Sequence, residues 1–189
     1  MKNIIILASG SGSNAENIIN FIEKDKTAFV SCVLCNNPNA FVIQRAQKLG
    51  VPVHLFTKEE FVNGSVLGFM KGLHPDLIVL AGFLWLIPQP IIQEYPNRII
   101  NIHPALLPKH GGKGMYGQRV HQSVIDNHES SSGITIHFVN EHYDDGAIIF
   151  QAQCSVEPND NADNVAEKVH ELEYAHFPIV IKNILDSIQ

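Results

Sequence analysis

The sequence predicts a single α/β domain built on a mostly parallel open sheet with helices on both faces. Three observations lead there. Apolar, β-branched runs alternate with amphipathic segments, at lengths that suit strand–helix–strand crossovers. The first of these runs passes at once into a glycine-serine loop and then a helical pattern. A later run, Arg98-Ile-Ile-Asn-Ile-His-Pro-Ala-Leu-Leu-Pro108, closes on an amide and an imidazole just before a proline. Open α/β sheets hold ligands outside the carboxyl ends of their strands, where such a pair would sit.

Taken in order, Lys2 to Ala8 is expected as a buried first strand and Ser9 to Asn14 as a tight loop. Ser13 and Glu16 have capping-box spacing, which sets the first helix start near Asn14. Phe29 to Cys35 is a second strand, Ala40 to Leu49 a helix, and Val51 to Phe56 a third strand. A helix through Val66 to Leu73 precedes Asp76 to Phe83, a continuously apolar fourth strand of the kind buried on both faces. Pro88 to Glu94 is a short helix leading into the central strand. There Ile99 and Ile100 supply a β-branched start, and Pro104 ends regular pairing. Side chains alternate along a strand, so Asn101 and His103 share one face and Ile102 takes the other.

The rhythm then changes. Lys109 to Gly117 carries four glycines in nine residues and is expected as a loop. Ile134 to Val139 and Ala147 to Ala152 are strands, joined by the acidic connection Glu141-His-Tyr-Asp-Asp-Gly146. From Asn161 onward Val165, Val169, Leu172, Ile179 and Val180 are assigned to one helical face, giving a long closing helix with a bend at Pro178. No linker, repeat or low-complexity segment interrupts residues 1–189, so one domain is expected.

Bulk composition narrows the function classes. A net charge of -6 with no lysine or arginine cluster argues against a nucleic-acid partner. No stretch approaches a membrane span, and Ile4 to Leu7 is too short for a signal core, so a cytoplasmic protein is expected. Cys32-Val-Leu-Cys35 has redox-pair spacing, yet it lies inside a strand-like run instead of at a helix start, so reduced structural thiols are expected. No two histidines have a helical ligand spacing with a glutamate between them, and no metal is expected.

Two stretches carry chemistry. An amide can donate to a developing oxyanion and an imidazole can move a proton near neutral pH, which makes Asn101 and His103 catalytic candidates. The alternative is a satisfied core histidine beside a chain-turning asparagine. Gly10-Ser-Gly12-Ser-Asn-Ala15 fits the dinucleotide fingerprint in its alanine-ended form, the mark of a Rossmann-like start. The second strand, however, ends in Cys35-Asn36-Asn37 with no carboxylate for a ribose hydroxyl. NAD therefore loses ground, while a phosphate on the N–H groups of a helix start survives beside the alternative of a plain tight turn.

Together these motifs resemble the glycinamide ribonucleotide formyltransferases of the folate-dependent formyltransferase family. The resemblance runs through Ser9-Gly-x-Gly-Ser-Asn14, Leu80-Ala-Gly-Phe83, Asn101-Ile-His-Pro-x-Leu-Leu-Pro108 and Gly133-Ile-Thr-Ile-His-Phe-Val139 to Asp144-Asp-Gly146. It implies the formyltransferase fold and transfer of a formyl group from 10-formyltetrahydrofolate, a co-substrate, to the glycine amine of glycinamide ribonucleotide. Asn101, His103 and Asp144 would be catalytic, the first two facing the oxyanion and Asp144 steadying His103. An ionised Asp144 would raise the histidine's pKa and burial would lower it; the carboxylate is expected to win. Gly12, Ser13 and Asn14 would hold the phosphate, and His170 and Glu173 the ribose and amine. Without the resemblance those last two read as surface helix residues. Leu84, Trp85, Leu86 and Ile87, with Asn140, Glu141, His142 and Tyr143, would line the folate slot, although Trp85 also suits core packing. Family relatives with an extra C-terminal or N-terminal domain are disfavoured by the length and by the start at the first strand.

Two departures stand out. The family's arginine after the third strand is missing from Thr57 to Met70, leaving Lys58 as the nearest candidate for the phosphate. The loop His110-Gly-Gly-Lys-Gly-Met-Tyr-Gly117 is also longer than the family's. The competing functions are formyltetrahydrofolate hydrolysis and a nucleotide-binding regulatory module without chemistry. Small-molecule partners and a monomer or weak homodimer are expected.

Overall fold

The computed structural model describes residues 1–188. Its elements run β1 (Lys2–Ala8), α1 (Ser13–Asp25), β2 (Ala28–Cys35), α2 (Val42–Lys48), β3 (Val53–Leu55), α3 (Lys58–Val62), α4 (Ser65–Leu73) and β4 (Leu77–Leu80). They continue through α5 (Gln89–Glu94), β5 (Ile99–His103), α6 (Gln118–Asp126), β6 (Ser131–Phe138), β7 (Ile148–Ser155) and α7 (Ala162–Ser187). Seven strands form one sheet in the order β3-β2-β1-β4-β5-β6-β7. Strands β1 to β5 pair in parallel, and β6 and β7 join antiparallel. The change of rhythm in the sequence marks that reversal.

Strand β1 lies third in the sheet, between β2 and β4, and pairs in parallel with both. Ile4 and Ile6 pack into the core on one face, and Ile5 and Leu7 into the core on the other. Residues 4–8 have no exposed surface, as a strand covered on both faces by crossover helices must. From β1 the chain moves outward through β2 to β3, then returns to the other side of β1 with β4 and β5. The order therefore reverses between β1 and β4, and a crevice opens at the carboxyl ends of β1, β4 and β5. Cys32 and Cys35 fall on opposite faces of β2. They do not form a pair, and burial pushes the Cys32 thiol up to about 11.

Several local expectations are corrected. The Ser13–Glu16 capping box does not form. Gly12, at φ 76°, is the N-cap and Ser13 the first helical residue, while the Glu16 carboxylate pairs with Arg45. Glycine is required there by contact as well as by φ, because a Cβ would lie 2.4 Å from Val42 Cγ2 and 2.7 Å from Val42 Cα. The first turn of α2 is thus seated directly on the loop. Strand β4 stops at Leu80 because Gly82, at φ 74°, turns the chain toward Ser9, whose N–H donates to the Gly82 carbonyl at 3.0 Å. Ile179 is 48% exposed, and the buried stripe of α7 runs through Val169, Phe177, Val180, Ile181 and Leu185 instead. Helix α7 continues through Pro178. The Tyr174 carbonyl, which the proline leaves without its usual donor, accepts from Asn17 Nδ2 at 3.0 Å.

The packing of Gly12 on Val42 generates a test. Gly12→Ala should lower stability by about 1–3 kcal/mol through overpacking alone, read as a fall in the urea midpoint at unchanged slope. A midpoint equal to wild type would mean that α2 yields freely to the added methyl.

Candidate active site

A cavity of about 560 Å³ opens at the crevice. Its wall is built from Gly10 to Asn14 after β1, Ala81 to Leu84 after β4, and Asn101 to Pro104 at the end of β5. Gly112 to Gly117, His121, Tyr143, Asp144 and the α7 residues His170 and Glu173 complete it. The sheet thus brings all three catalytic candidates and all five phosphate, ribose and amine candidates to one cavity.

Asp144 is the meeting point. Its connection folds back on β6, where a Cβ on Gly146 would come within 1.7 Å of the Phe138 carbonyl oxygen. Asp144 itself takes a left-handed φ of 53°. Its Oδ2 accepts from the Gly112 N–H at 3.0 Å and lies 3.4 Å from His103 Nδ1; its Oδ1 lies 3.4 Å from Asn101 Nδ2. The other nitrogen of His103, Nε2, donates to the His110 carbonyl at 2.8 Å. That bond fixes the ring and makes Nδ1 the nitrogen that faces Asp144.

His137, which the sequence reading passed over, sits opposite Asn101 in the β5–β6 register. Its Nδ1 faces the Phe138 carbonyl at 2.8 Å and Nε2 lies 3.1 Å from Asn101 Nδ2. A carbonyl can only accept, so the neutral ring carries its proton on Nδ1 and Nε2 accepts from the amide. The signal was present in Ile134-Thr-Ile-His-Phe: alternation puts Thr135 and His137 on the face away from the isoleucines. Thr135 Oγ1 accepts from the Leu107 N–H at 3.0 Å and donates to the Ala105 carbonyl at 2.7 Å, which holds the turn after His103.

Burial favours the neutral form of Asp144. The nearby His137 ring, 3.7 Å from Oδ1, the charge of His103 and the Gly112 N–H outweigh it and hold the carboxyl below its usual value. For His103 burial wins. Its pKa lies below the ordinary histidine value, although Asp144 and the His110 carbonyl both pull it up. The expectation that the carboxylate would prevail is therefore overturned, because the ring is only 3% exposed.

On the other side of the cavity Asn14 Nδ2 donates to Glu173 Oε2 at 2.9 Å, and His170 Nε2 lies 3.8 Å from the same oxygen. Glu173 is no surface residue: it is 5% exposed, and burial raises its pKa to about 7. His121, also missed from sequence, lines the cavity from α6. Burial lowers its pKa to about 4, and its ring meets that of His170 edge-on.

Of the eight residues expected at a folate slot, two face the cavity. Leu84 and Tyr143 line the cavity; Trp85, Leu86, Ile87, Asn140, Glu141 and His142 do not. Trp85 packs with Phe56, Phe61 and Phe83, and Ile87 is core. The Leu86 N–H donates to the Tyr143 hydroxyl at 3.1 Å, closing this edge of the wall. Asn140 Oδ1 accepts from the His142 N–H, a local turn among partly or fully exposed residues. Lys58 also moves out of its expected role. Its Nζ lies 4.5 Å over the Trp85 ring, and it does not line the cavity near Gly12. Among the described residues no cluster of metal-ligating side chains occurs, and no helix is long and apolar enough to cross a membrane.

Residues 2–181 match the family described as formyl transferase. The phosphoribosylglycinamide formyltransferase of Haemophilus influenzae is 36% identical over 188 residues, spanning 96% of this chain and 86% of that protein. The Bacillus subtilis protein of the same name is 33% identical over 98% of this chain and 95% of its own. The crystal structure of phosphoribosylglycinamide formyltransferase from Bacillus halodurans superposes with a TM-score of 0.88 at 30% identity, covering 100% of this chain and 97% of that one.

The raised pKa of Glu173 sets a stability test. A folded-state value of about 7 against 4.5 means the burial is cost-free below pH 4.5 and increasingly costly as pH rises to 7. Glu173→Gln keeps an acceptor for Asn14 and removes the charge. It should gain nothing near pH 4 and at most about 3 kcal/mol above pH 7, measured by urea unfolding across pH. A gain independent of pH would refute the assignment.

Proposed function

The chain belongs to the formyl transferase family, and on that premise we propose that it carries a formyl group from 10-formyltetrahydrofolate to the glycine amine of glycinamide ribonucleotide. The products are formylglycinamide ribonucleotide and tetrahydrofolate, a step of de novo purine biosynthesis. The observation that carries the reading is the convergence of Asn101, His103 and Asp144 with Glu173 and the Gly12–Asn14 loop on one cavity.

The ribonucleotide phosphate sits at the N–H groups of Gly12, Ser13 and Asn14, where the start of α1 favours an anion. His170 and Glu173 meet the ribose and the amine. A Glu173 poised to ionise near pH 7 suits an amine that must shed a proton before it attacks. The co-substrate enters along Phe83, Leu84 and Tyr143, whose apolar surfaces suit a flat pterin.

The amine lone pair attacks the formyl carbon, the new C–N bond forms, and the carbonyl electron pair moves onto oxygen. Asn101 Nδ2 and a protonated His103 Nδ1 stabilise that oxyanion. Asn101 releases its long 3.4 Å contact with Asp144 to do so, while His137 holds the amide plane. Removing one such donor typically costs ~3 kcal/mol in the transition state. Asp144, directly or through water, passes a proton from the attacking nitrogen toward the folate nitrogen. The oxyanion then collapses and the bond to that nitrogen breaks. The chemistry as written calls for no metal and no covalent enzyme intermediate.

Two measurements test this reading. Purified protein should release tetrahydrofolate from 10-formyltetrahydrofolate only when glycinamide ribonucleotide is present; release at the same rate without it would make the protein a hydrolase. The second is the pH profile of turnover. The active form needs the amine and Glu173 deprotonated and His103 protonated. With Glu173 at about 7 and His103 below an ordinary histidine, the acid limb of the bell should track His103 and the alkaline limb Glu173 and the amine. Asp144→Asn removes a carboxylate that favours the imidazolium, so the acid limb should move further toward acid and the maximum rate should drop at least a hundred-fold. An acid limb that stays in place would restrict Asp144 to positioning water.

A further inference from the structure

The glycine-rich strap between β5 and α6 is the stretch of cavity wall to which no role has yet been given. It is fastened at both ends. The His110 carbonyl accepts from His103, His110 Nδ1 meets Ser123 Oγ at 2.9 Å, and Lys109 pairs with Glu129. The Gly112 N–H is held by Asp144. At the far end Gln118 Nε2 donates to Asp163 Oδ1 of the α7 first turn at 2.7 Å. Between these points the Met115 N–H donates to the Gly112 carbonyl at 3.1 Å and closes a turn. Gly114 occupies its third position at φ 88°, a conformation that asks for glycine. Lys113 stands at the second position, on the outside of the turn.

The lining of the cavity contains no arginine and no lysine other than Lys113. It also contains two carboxylates, Asp144 and Glu173, and three histidines, of which His103 and His121 are both drawn toward the neutral form. Elsewhere Lys2, Lys71, Lys109, Lys168 and Lys182 are each held by a carboxylate, and Lys58 lies over Trp85. Arg45 pairs with Glu16, and Arg119, on the strap side of α6, lies over the ring of Tyr116. Lys113 is exposed and forms no ion pair among the described residues. His121 of the same wall is 3% exposed, and its buried Nδ1 lacks a partner among the described residues.

A phosphate dianion entering this cavity meets the N–H groups of α1 and two carboxylates. Backbone dipoles alone leave most of its charge unanswered. We propose that Lys113 supplies the countercharge: its ammonium closes on the phosphate held at Gly12–Asn14 and makes the site selective for a phosphorylated acceptor over its phosphate-free nucleoside. This rests on the ribonucleotide reading above. The four-carbon stem on a glycine-flanked turn gives the ammonium reach, and the strap's bond to Asp144 keeps that reach within the catalytic cavity. Folate carboxylates are the other anions that would use the site.

The test is steady-state kinetics of wild type, Lys113→Ala and Lys113→Arg, each checked for an unchanged melting temperature. Acceptors are glycinamide ribonucleotide and its phosphate-free riboside. In Lys113→Ala the KM for the ribonucleotide should rise about ten- to a hundred-fold, the range of one charge-assisted hydrogen bond, with kcat and the KM for 10-formyltetrahydrofolate nearly unchanged. Lys113→Arg should recover most of the loss, and kcat/KM for the riboside should be the same in all three proteins. Inorganic phosphate should compete with the ribonucleotide more weakly in Lys113→Ala than in wild type. An unchanged ribonucleotide KM, an equal loss on the riboside, or a rise in the folate KM instead would each overturn the proposal. Wild type that does not formylate the ribonucleotide at all would reject the underlying function, a result distinct from normal turnover by Lys113→Ala.

Discussion

A carboxylate folded almost out of water is the constraint to which the rest of the active site answers. Asp144 has one-tenth of its side chain exposed, and a buried charge that loses its partner typically destabilises by 3–5 kcal/mol. Its partners come from three separate segments: His103 and Asn101 from β5, His137 from β6, and the Gly112 N–H from the strap. Each segment must come close enough, and glycine makes that possible. Gly146 lies against the Phe138 carbonyl, and a Cβ on Gly111 would meet Leu107 Cδ2 at 2.5 Å and Asp144 Cβ at 3.3 Å. Gly111 and Gly146 thus let their segments close around this charge.

Much of this was legible in the sequence, and the reasons are local. Strand β1 declared itself because a strand buried on both faces needs an unbroken apolar run. The end of β5 declared itself because an amide and an imidazole on one strand face, just before a proline, have few structural uses. What stayed hidden was decided at longer range. Helix α6 is short and buries only Val120, His121 and Val124, and its stripe went unread beside the glycine-rich strap that precedes it. Helix α3 did carry its Thr57–Glu60 capping box, while the same spacing at Ser13–Glu16 was a false signal, because Arg45 of α2 claims the carboxylate. No local rule weighs a cap against an ion pair 29 residues away. Trp85 looked equally suited to ligand or core, and only Phe56, Phe61 and Phe83 converging from other segments decided for the core.

The site also concentrates instability. Glu173 is a carboxylate in a place that prefers it protonated, His121 a histidine in a place that prefers it neutral, and Asp144 a non-glycine residue at positive φ. None of these choices helps the fold. Each becomes intelligible once a ligand with an amine and an anion is brought in, since the ligand supplies what the protein leaves unmatched. Binding should accordingly stabilise this protein through the very groups that weaken it alone.

Helices α1 and α7 lie side by side, joined by Asn14 to Glu173, Asn17 to the Tyr174 carbonyl, and Lys182 to Asp25. Their partners are separated by roughly 160 residues of chain. Seen as an event in protein synthesis, this sets an order. The Gly12–Asn14 loop and α1 are synthesised long before α7, so the bonds that join the two helices wait until the α7 segment follows. An incomplete chain therefore holds the glycine loop of the cavity and lacks the Glu173 carboxylate that faces it. Completion of the cavity wall and docking of the last helix on the first arrive together, in a single late event, and long-range closure of this kind is the slow part of folding.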